Sequence, residues 1–171
     1  MRMLIFLFLS LILSSCQKEE NRTINLDTFN YDRTIIDSSI TFVDNLYTKK
    51  VLLDFIADAS KNDLNHFKVF NKIENLYGII ILDLKPYKLL GLTIYHSSIN
   101  GLIVLDERLL YDFNLFKFVL YHELGHWFGL KHCQCHNEIM LNKYSKEDVE
   151  LLINNWNIST KIFFEKIKEI L

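Results

Sequence analysis

Cysteine, proline and glycine are all scarce in this chain, at three, one and five among 171 residues. Three cysteines exclude a fold stapled by a framework of several disulfides. The length is enough to close a hydrophobic core without one. With a single proline and few glycines, no Pro/Gly/Ser-rich linker and no internal repeat interrupts residues 40–171, which are therefore read as one compact unit. An excess of charge of one sign is also missing. Nineteen Lys and Arg stand against 21 Asp and Glu, a formal net of −2, so no basic surplus points to nucleic acid. Hydrophobic residues, by contrast, make up 50% of the chain. That is too many for a disordered polypeptide, but they are unevenly spread.

Arg2 precedes an almost unbroken apolar run from Met3 to Leu13. Eleven helical residues rise about 16 Å, roughly half of a bilayer's hydrocarbon core, so the run is too short to span. Its length and flanks are those of a signal-peptide apolar region. Leu13-Ser14-Ser15-Cys16 resembles the bacterial lipobox, in which a small residue precedes a cysteine that is lipidated and becomes the N-terminus. Gln17-Lys18-Glu19-Glu20 is similar to the Lys-plus-acidic tag that sends lipoproteins to the outer face in some Gram-negative bacteria. We therefore expect a signal peptide over residues 1–15, a lipidated Cys16 and tether over residues 16–38, and a folded domain over residues 39–171. The expected location is the outer membrane or cell surface, with acyl chains (palmitate) in the lipid bilayer holding an otherwise soluble monomer. Without residues 1–15 the chain keeps 156 residues and a net charge of −3, and the folded part holds only Cys133 and Cys135.

Ile40-Thr41-Phe42-Val43 is strand-like. Between Lys49 and His66, apolar residues at Val51, Leu52, Phe55, Ile56 and Ala59 have helical spacing. Phe67 to Ile73 alternates and predicts a strand. Ile79-Ile80-Ile81-Leu82, bounded by Gly78 and Pro86, predicts a buried strand. Leu92–Tyr95 and Leu102–Leu105 predict two more, each entered through a glycine. Asn114 is the expected N-cap of a helix from Leu115 to about Phe128. Ser145 with Asp148 resembles a capping box, opening a helix through Val149, Leu151, Leu152 and Trp156. Ile162 to Leu171 predicts a short terminal helix. This order implies an α+β unit with a twisted sheet.

Residues His122-Glu123-Leu124-Gly125-His126-Trp127-Phe128-Gly129-Leu130-Lys131-His132 carry the chemistry. His122 and His126 are four apart, so on a helix both imidazoles leave one face, one turn apart. That suits two nitrogens converging on one zinc at about 2.0–2.1 Å. Glu123 points partly aside, where it can take a proton from a water at the metal without completing the coordination. Gly129 can adopt the positive φ that ends a helix, letting His132 return as a third ligand. Three protein nitrogens leave a fourth position open, the mark of a catalytic zinc.

The extended HExxHxxGxxH pattern resembles the metzincin clan of zinc endopeptidases. Met140, eight residues beyond His132, is similarly placed to the clan's Met-turn residue beneath the metal. Ile139-Met140 followed by Tyr144-Ser145-Lys146-Glu147-Asp148-Val149 looks like the Met-turn and capped final helix of matrixin-type members. The resemblance runs from about Phe67 to Trp156, and residues 122–140 are its specific part. His132-Cys133, with Met140 seven residues on, is similar to archaemetzincins. Their further cysteines are absent here, one of them replaced by Glu138, so no second zinc is expected. Asn142 stands where astacin- and serralysin-like members have Tyr, which argues against those branches. Cys133-Gln134-Cys135-His136 is open between extra metal ligands, an inhibitory thiolate, a local disulfide and two plain thiols. His66, His96 and His136 lack ligand spacing and are expected on the surface or in loops.

The resemblance implies a metzincin-like fold with an active-site helix and a small helical C-terminal subdomain. It also implies peptide-bond hydrolysis by one Zn2+ ion on His122, His126 and His132, with Glu123 as general base and then general acid. A protein or peptide substrate would pair with an edge strand at Leu92, Thr93, Ile94 and Tyr95. Its specificity pocket would lie between the Leu115–Phe128 helix and the Met140–Tyr144 segment. Two other readings stand beside this one. The first is a non-catalytic zinc-binding surface lipoprotein, a degenerate protease or adhesin. The second is a gluzincin-type site whose third ligand is Glu147 or Glu150.

Overall fold

The computed structural model describes residues 46–95, 101–134 and 138–171. The expected lipidation site at Cys16, the strand at Ile40–Val43, and His96, Cys135 and His136 lie outside the described residues. Within them the architecture is α+β. In chain order come α1 (Leu46–Lys61), α2 (His66–Glu74), β1 (Gly78–Leu82), β2 (Gly91–Tyr95), β3 (Gly101–Asp106), α3 (Phe113–Phe128), α4 (Lys146–Asn154) and α5 (Trp156–Lys168). Short 3-10 turns follow β1 at Lys85–Tyr87 and β3 at Glu107–Tyr111.

The three strands form a mixed sheet in the order β1-β3-β2, with β3 parallel to β1 and antiparallel to β2. β3 lies in the middle, and all six of its residues are buried. Its side chains alternate between faces, as the two-residue period of a strand requires. Ile103 and Leu105 enter the main core, whereas Leu102 and Val104 join a smaller cluster with Leu84. Among the described residues β2 is an edge strand of this sheet, opposite Gly101–Leu105 in register.

α3 is apolar nearly all round, which is the pattern of a helix buried on every side, and it runs through the core. Around it α1 and α5 contribute an aromatic cluster in which Phe55 meets Tyr121, Phe128, Phe163 and Phe164 with centroids 4.9 to 6.0 Å apart. The C-terminal helices therefore share the main core instead of closing one of their own. Asp58 on α1 ties the layers together. Its carboxylate accepts from Tyr121 Oη at 3.0 Å and Trp156 Nε1 at 3.2 Å. None of the described helices is long and apolar enough to cross a membrane.

Several expectations need correction. Phe67 to Ile73 is not a strand but most of α2. Its buried residues are Val69 and Ile73, four apart, while Phe67 and Phe70 are exposed. Asn65 decides the matter by accepting from the Phe67 and Lys68 backbone N–H groups, an N-cap that commits the chain to a helix. The α1 helix stops at Lys61, short of His66, because Asp63 turns to φ 60 and Leu64 N reaches back to Ala59 O at 3.0 Å. Asp112, not Asn114, caps α3, its carboxylate taking the N–H groups of Asn114 and Leu115. The capping box of Ser145 and Asp148 is present. The helix it opens ends at Asn154, however, and Trp156 begins a terminal helix that starts six residues before Ile162.

Candidate metal centre

α3 brings His122 and His126 to one face, and its C-terminus sets the third histidine. Gly129 adopts φ 101, Gly129 N donates to His126 O at 2.8 Å, and Leu130 N donates to Gly125 O at 2.9 Å. This paired bonding ends a helix in a sharp reversal and needs a residue at ease in the left-handed region. The chain then doubles back, placing His132 Nε2 3.0 Å from both His122 Nε2 and His126 Nε2. The remaining pair, His126 Nε2 and His122 Nε2, is 3.2 Å apart. Among the described residues this trio is the group of ligating side chains assembled closely enough to hold a metal ion.

The protonation of these rings tests the fit of a cation. His122 Nδ1 lies 2.7 Å from Ile139 O, and His126 Nδ1 lies 3.0 Å from Leu130 O. A carbonyl only accepts, so both Nδ1 atoms carry a proton, and in a neutral ring that leaves Nε2 with the lone pair. Two such lone pairs facing each other repel unless a cation lies between them. Nitrogens on a tetrahedral zinc at about 2.0–2.1 Å are roughly 3.3 to 3.4 Å apart, close to the spacing found here. The donor set fits zinc. Burial pushes His122 down to about 3, with the neighbouring His126 acting in the same direction and the Ile139 carbonyl opposing. The ring is therefore held in the neutral form that ligates.

The residues around Met140 support the site from below. Met140 is buried, and its Sδ packs on Gly125 so closely that any Cβ there would collide with it. The loop is closed by Cys133 N donating to Met140 O at 2.8 Å and Asn142 N donating to Cys133 O at 3.1 Å. This Met140 turn supplies the Ile139 carbonyl that orients His122. The Tyr144 hydroxyl hydrogen-bonds that same carbonyl, and its ring stands nearly perpendicular to His122 with centroids 5.9 Å apart. Cys133 is half-buried, its thiol donating to Glu138 Oε2 at 3.3 Å. Glu138 also pairs with Lys166.

Glu123 lies beside the trio, only 5% exposed. Its Oε2 accepts from Thr93 Oγ1 at 2.8 Å across the gap between α3 and β2. A cavity of about 630 Å³ opens next to Glu123 and His122. Leu115, Phe118 and Val119 of α3 form one wall, and Asn142–Lys146 with Val149 and Ile153 form the other. Glu150 lines this cavity, pairing with Lys146 at 3.5 Å. Neither it nor Glu147 belongs to the close trio, where His132 is the third member. His66 is exposed and lies tilted against the Phe67 ring, outside the trio.

Of the residues singled out from sequence, His122, His126, His132, Glu123, Gly129 and Met140 converge on one region, with Leu92–Tyr95 along its sheet edge. Sequence reasoning missed the orienting Ile139 carbonyl, the Tyr144 hydroxyl and the contact from Thr93 to Glu123. None of these leaves a spacing signal, since each depends on how a loop or strand packs on α3.

Compared with known proteins, the chain matches no curated protein and no solved structure. A family model, that of the matrixins, matches residues 93–163. The matched span is under half of the chain. It runs from β2 through α3, all three histidines and Met140 into α5. The matrixin match and the histidine trio together support a metallopeptidase of metzincin type.

Proposed function

We propose that the chain is a zinc-dependent endopeptidase in which His122, His126 and His132 hold the metal and Glu123 is the general base. The observation that carries this reading is the trio of Nε2 atoms within 3.0 to 3.2 Å, two of the rings held by a backbone carbonyl at Nδ1, beside a buried carboxylate. Zinc bound there supplies Lewis-acid polarisation of the scissile carbonyl and makes water acidic near neutral pH. Glu123 takes the attacking water's proton and delivers it to the departing amine. Thr93 and the wall of β2 keep its carboxylate at the mouth of the cavity.

The backbone edge of β2 away from β3 accepts an extended peptide by strand addition. The side chain beyond the scissile bond enters the cavity between α3 and α4. Leu115, Phe118, Val119, Val149 and Ile153 suit it to an apolar group. We propose further that the domain is exported and tethered through a lipidated Cys16, on the strength of the ordered charge, apolar run, small residues and cysteine at its start.

The test is zinc quantification and peptide-library cleavage with and without a chelator. Glu123→Gln should bind zinc and fold as wild type while losing about 10²- to 10⁴-fold in turnover. Full turnover in that variant sinks the assignment. Stoichiometric zinc without cleavage by the wild type would instead favour a non-catalytic zinc lipoprotein.

A further inference from the structure

We infer that Thr93 is a positioning residue for Glu123, so that the strand proposed to receive the substrate also sets the general base. The inference rests on the endopeptidase reading and deepens it. Thr93 lies in the middle of β2. Its neighbours Leu92 and Ile94 pack with the cluster on the far face of the sheet, so strand alternation sends Thr93 inward to α3.

Two acceptors lie within reach of its hydroxyl, Glu123 Oε2 at 2.8 Å and the Glu123 carbonyl at 2.9 Å. A hydroxyl has one proton to give. The interior helix carbonyl already takes an intrahelical N–H, which leaves the side-chain oxygen as the open acceptor. The other carboxylate oxygen meets the same strand two residues earlier. A Cβ on Gly91 would fall 2.6 Å from Glu123 Oε1, 2.8 Å from its Cγ and 2.9 Å from Val119 Cγ1. β2 therefore grips the base twice, with a hydroxyl on one oxygen and a bare Cα against the other. A glutamate with three free torsions is thereby held in one orientation at the cavity mouth.

The test compares the wild-type, Thr93→Val and Thr93→Ser chains, all zinc-loaded. Thr93→Val keeps the shape and removes the donor. Losing a hydrogen bond to a charged group should lower kcat by about 10- to 100-fold, with KM within about twofold. Zinc stoichiometry should stay at the wild-type value, Tm should fall by only a few degrees, on the order of 2–4 °C per kcal/mol lost, and Thr93→Ser should recover most of both losses. In the crystal structure of the zinc-free Thr93→Val protein, the Glu123 carboxylate should be turned away from Gly91.

Unchanged kcat in Thr93→Val, a loss that serine does not recover, or a rise in KM alone each overturns the inference while leaving the endopeptidase reading intact. A wild-type chain that binds zinc and cleaves nothing overturns that reading instead. In that case the crystal structure still decides whether Thr93 holds the carboxylate, and a Glu123 that stays in place counts against it.

Discussion

Replacing Gly129 by alanine isolates the turn that brings in the third histidine. An added Cβ would meet only Ile170 Cγ2, at an ordinary 3.8 Å, so steric crowding contributes little. What remains is the backbone at φ 101. Holding an L-residue in the left-handed region costs about 1–2 kcal/mol. The alternative is for the chain to relax into a relaxed dihedral. It would then lose the Gly129 N to His126 O and Leu130 N to Gly125 O bonds, and also the bond between His126 Nδ1 and Leu130 O. At about 0.5–1.5 kcal/mol each, three hydrogen bonds outweigh strain of that size, and bound zinc would add to them. The turn should therefore stay and bear the strain.

At roughly 2–4 °C per kcal/mol, Tm should fall by about 2–8 °C with or without zinc. Zinc affinity should change by less than about tenfold, since the strain is borne in both forms. Gly129→Asn should recover part of the loss, because asparagine tolerates this region better. Thermal unfolding by circular dichroism, with excess zinc and with chelator, alongside a competitive zinc titration, reads both quantities. A Tm equal to wild type, or zinc binding abolished at unchanged Tm, would refute the reasoning.

Other outcomes follow from the same geometry. His132→Ala should weaken zinc binding by more than the roughly 10–100-fold typical of outer-shell partners, while Glu150→Ala leaves it unchanged; the reverse order would restore the glutamate-ligand reading. For buried Asp58, desolvation alone would raise the carboxyl, but hydrogen bonds from Lys61, Tyr121 and Trp156 outweigh it and hold the group below its ordinary value. Its stabilising contribution is then present above about pH 3.9 and lost as pH falls through the depressed folded value. A series of Tm values from neutral pH to pH 2 should show a steeper acid decline for wild type than for Asp58→Asn, and parallel curves would contradict it. Cys16→Ala should abolish incorporation of labelled palmitate into the full chain and release it from membranes, whereas retained label would disprove lipidation at that residue.

What the sequence made legible was whatever lies close in the chain. The spacing of His122, His126 and His132 depends on one helix and one turn, both written into consecutive residues, and the capping pair Ser145 and Asp148 is equally local. The Phe67–Ile73 segment shows the opposite case. Phe67, Val69 and Phe70 fit two periods at once, and the deciding information was the Asn65 side chain just outside the window. The cap of α3 failed for a related reason, because Asp112 and Asn114 are both competent and only the backbone at Asp112 is extended. Contacts such as Thr93 to Glu123 were illegible in principle, since thirty residues and a strand crossing separate the partners.

β2 is five residues long, and nearly every position has a task. Gly91 admits the carboxylate and Thr93 reaches it, Leu92 and Ile94 close the far apolar cluster, and the Tyr95 hydroxyl bonds the His126 carbonyl while its ring stacks on Trp127. If the endopeptidase reading holds, a strand so committed has little room to evolve, or to be engineered, toward a new cleavage preference. The opposite wall of the cavity is freer. Lys143 and Lys146 are exposed and Asn142 is half-exposed, so on the proposed reading new side chains there would change what the cavity accepts without touching Glu123, the proposed base. Libraries aimed at specificity belong on that wall, with Gly91–Tyr95 left as it is.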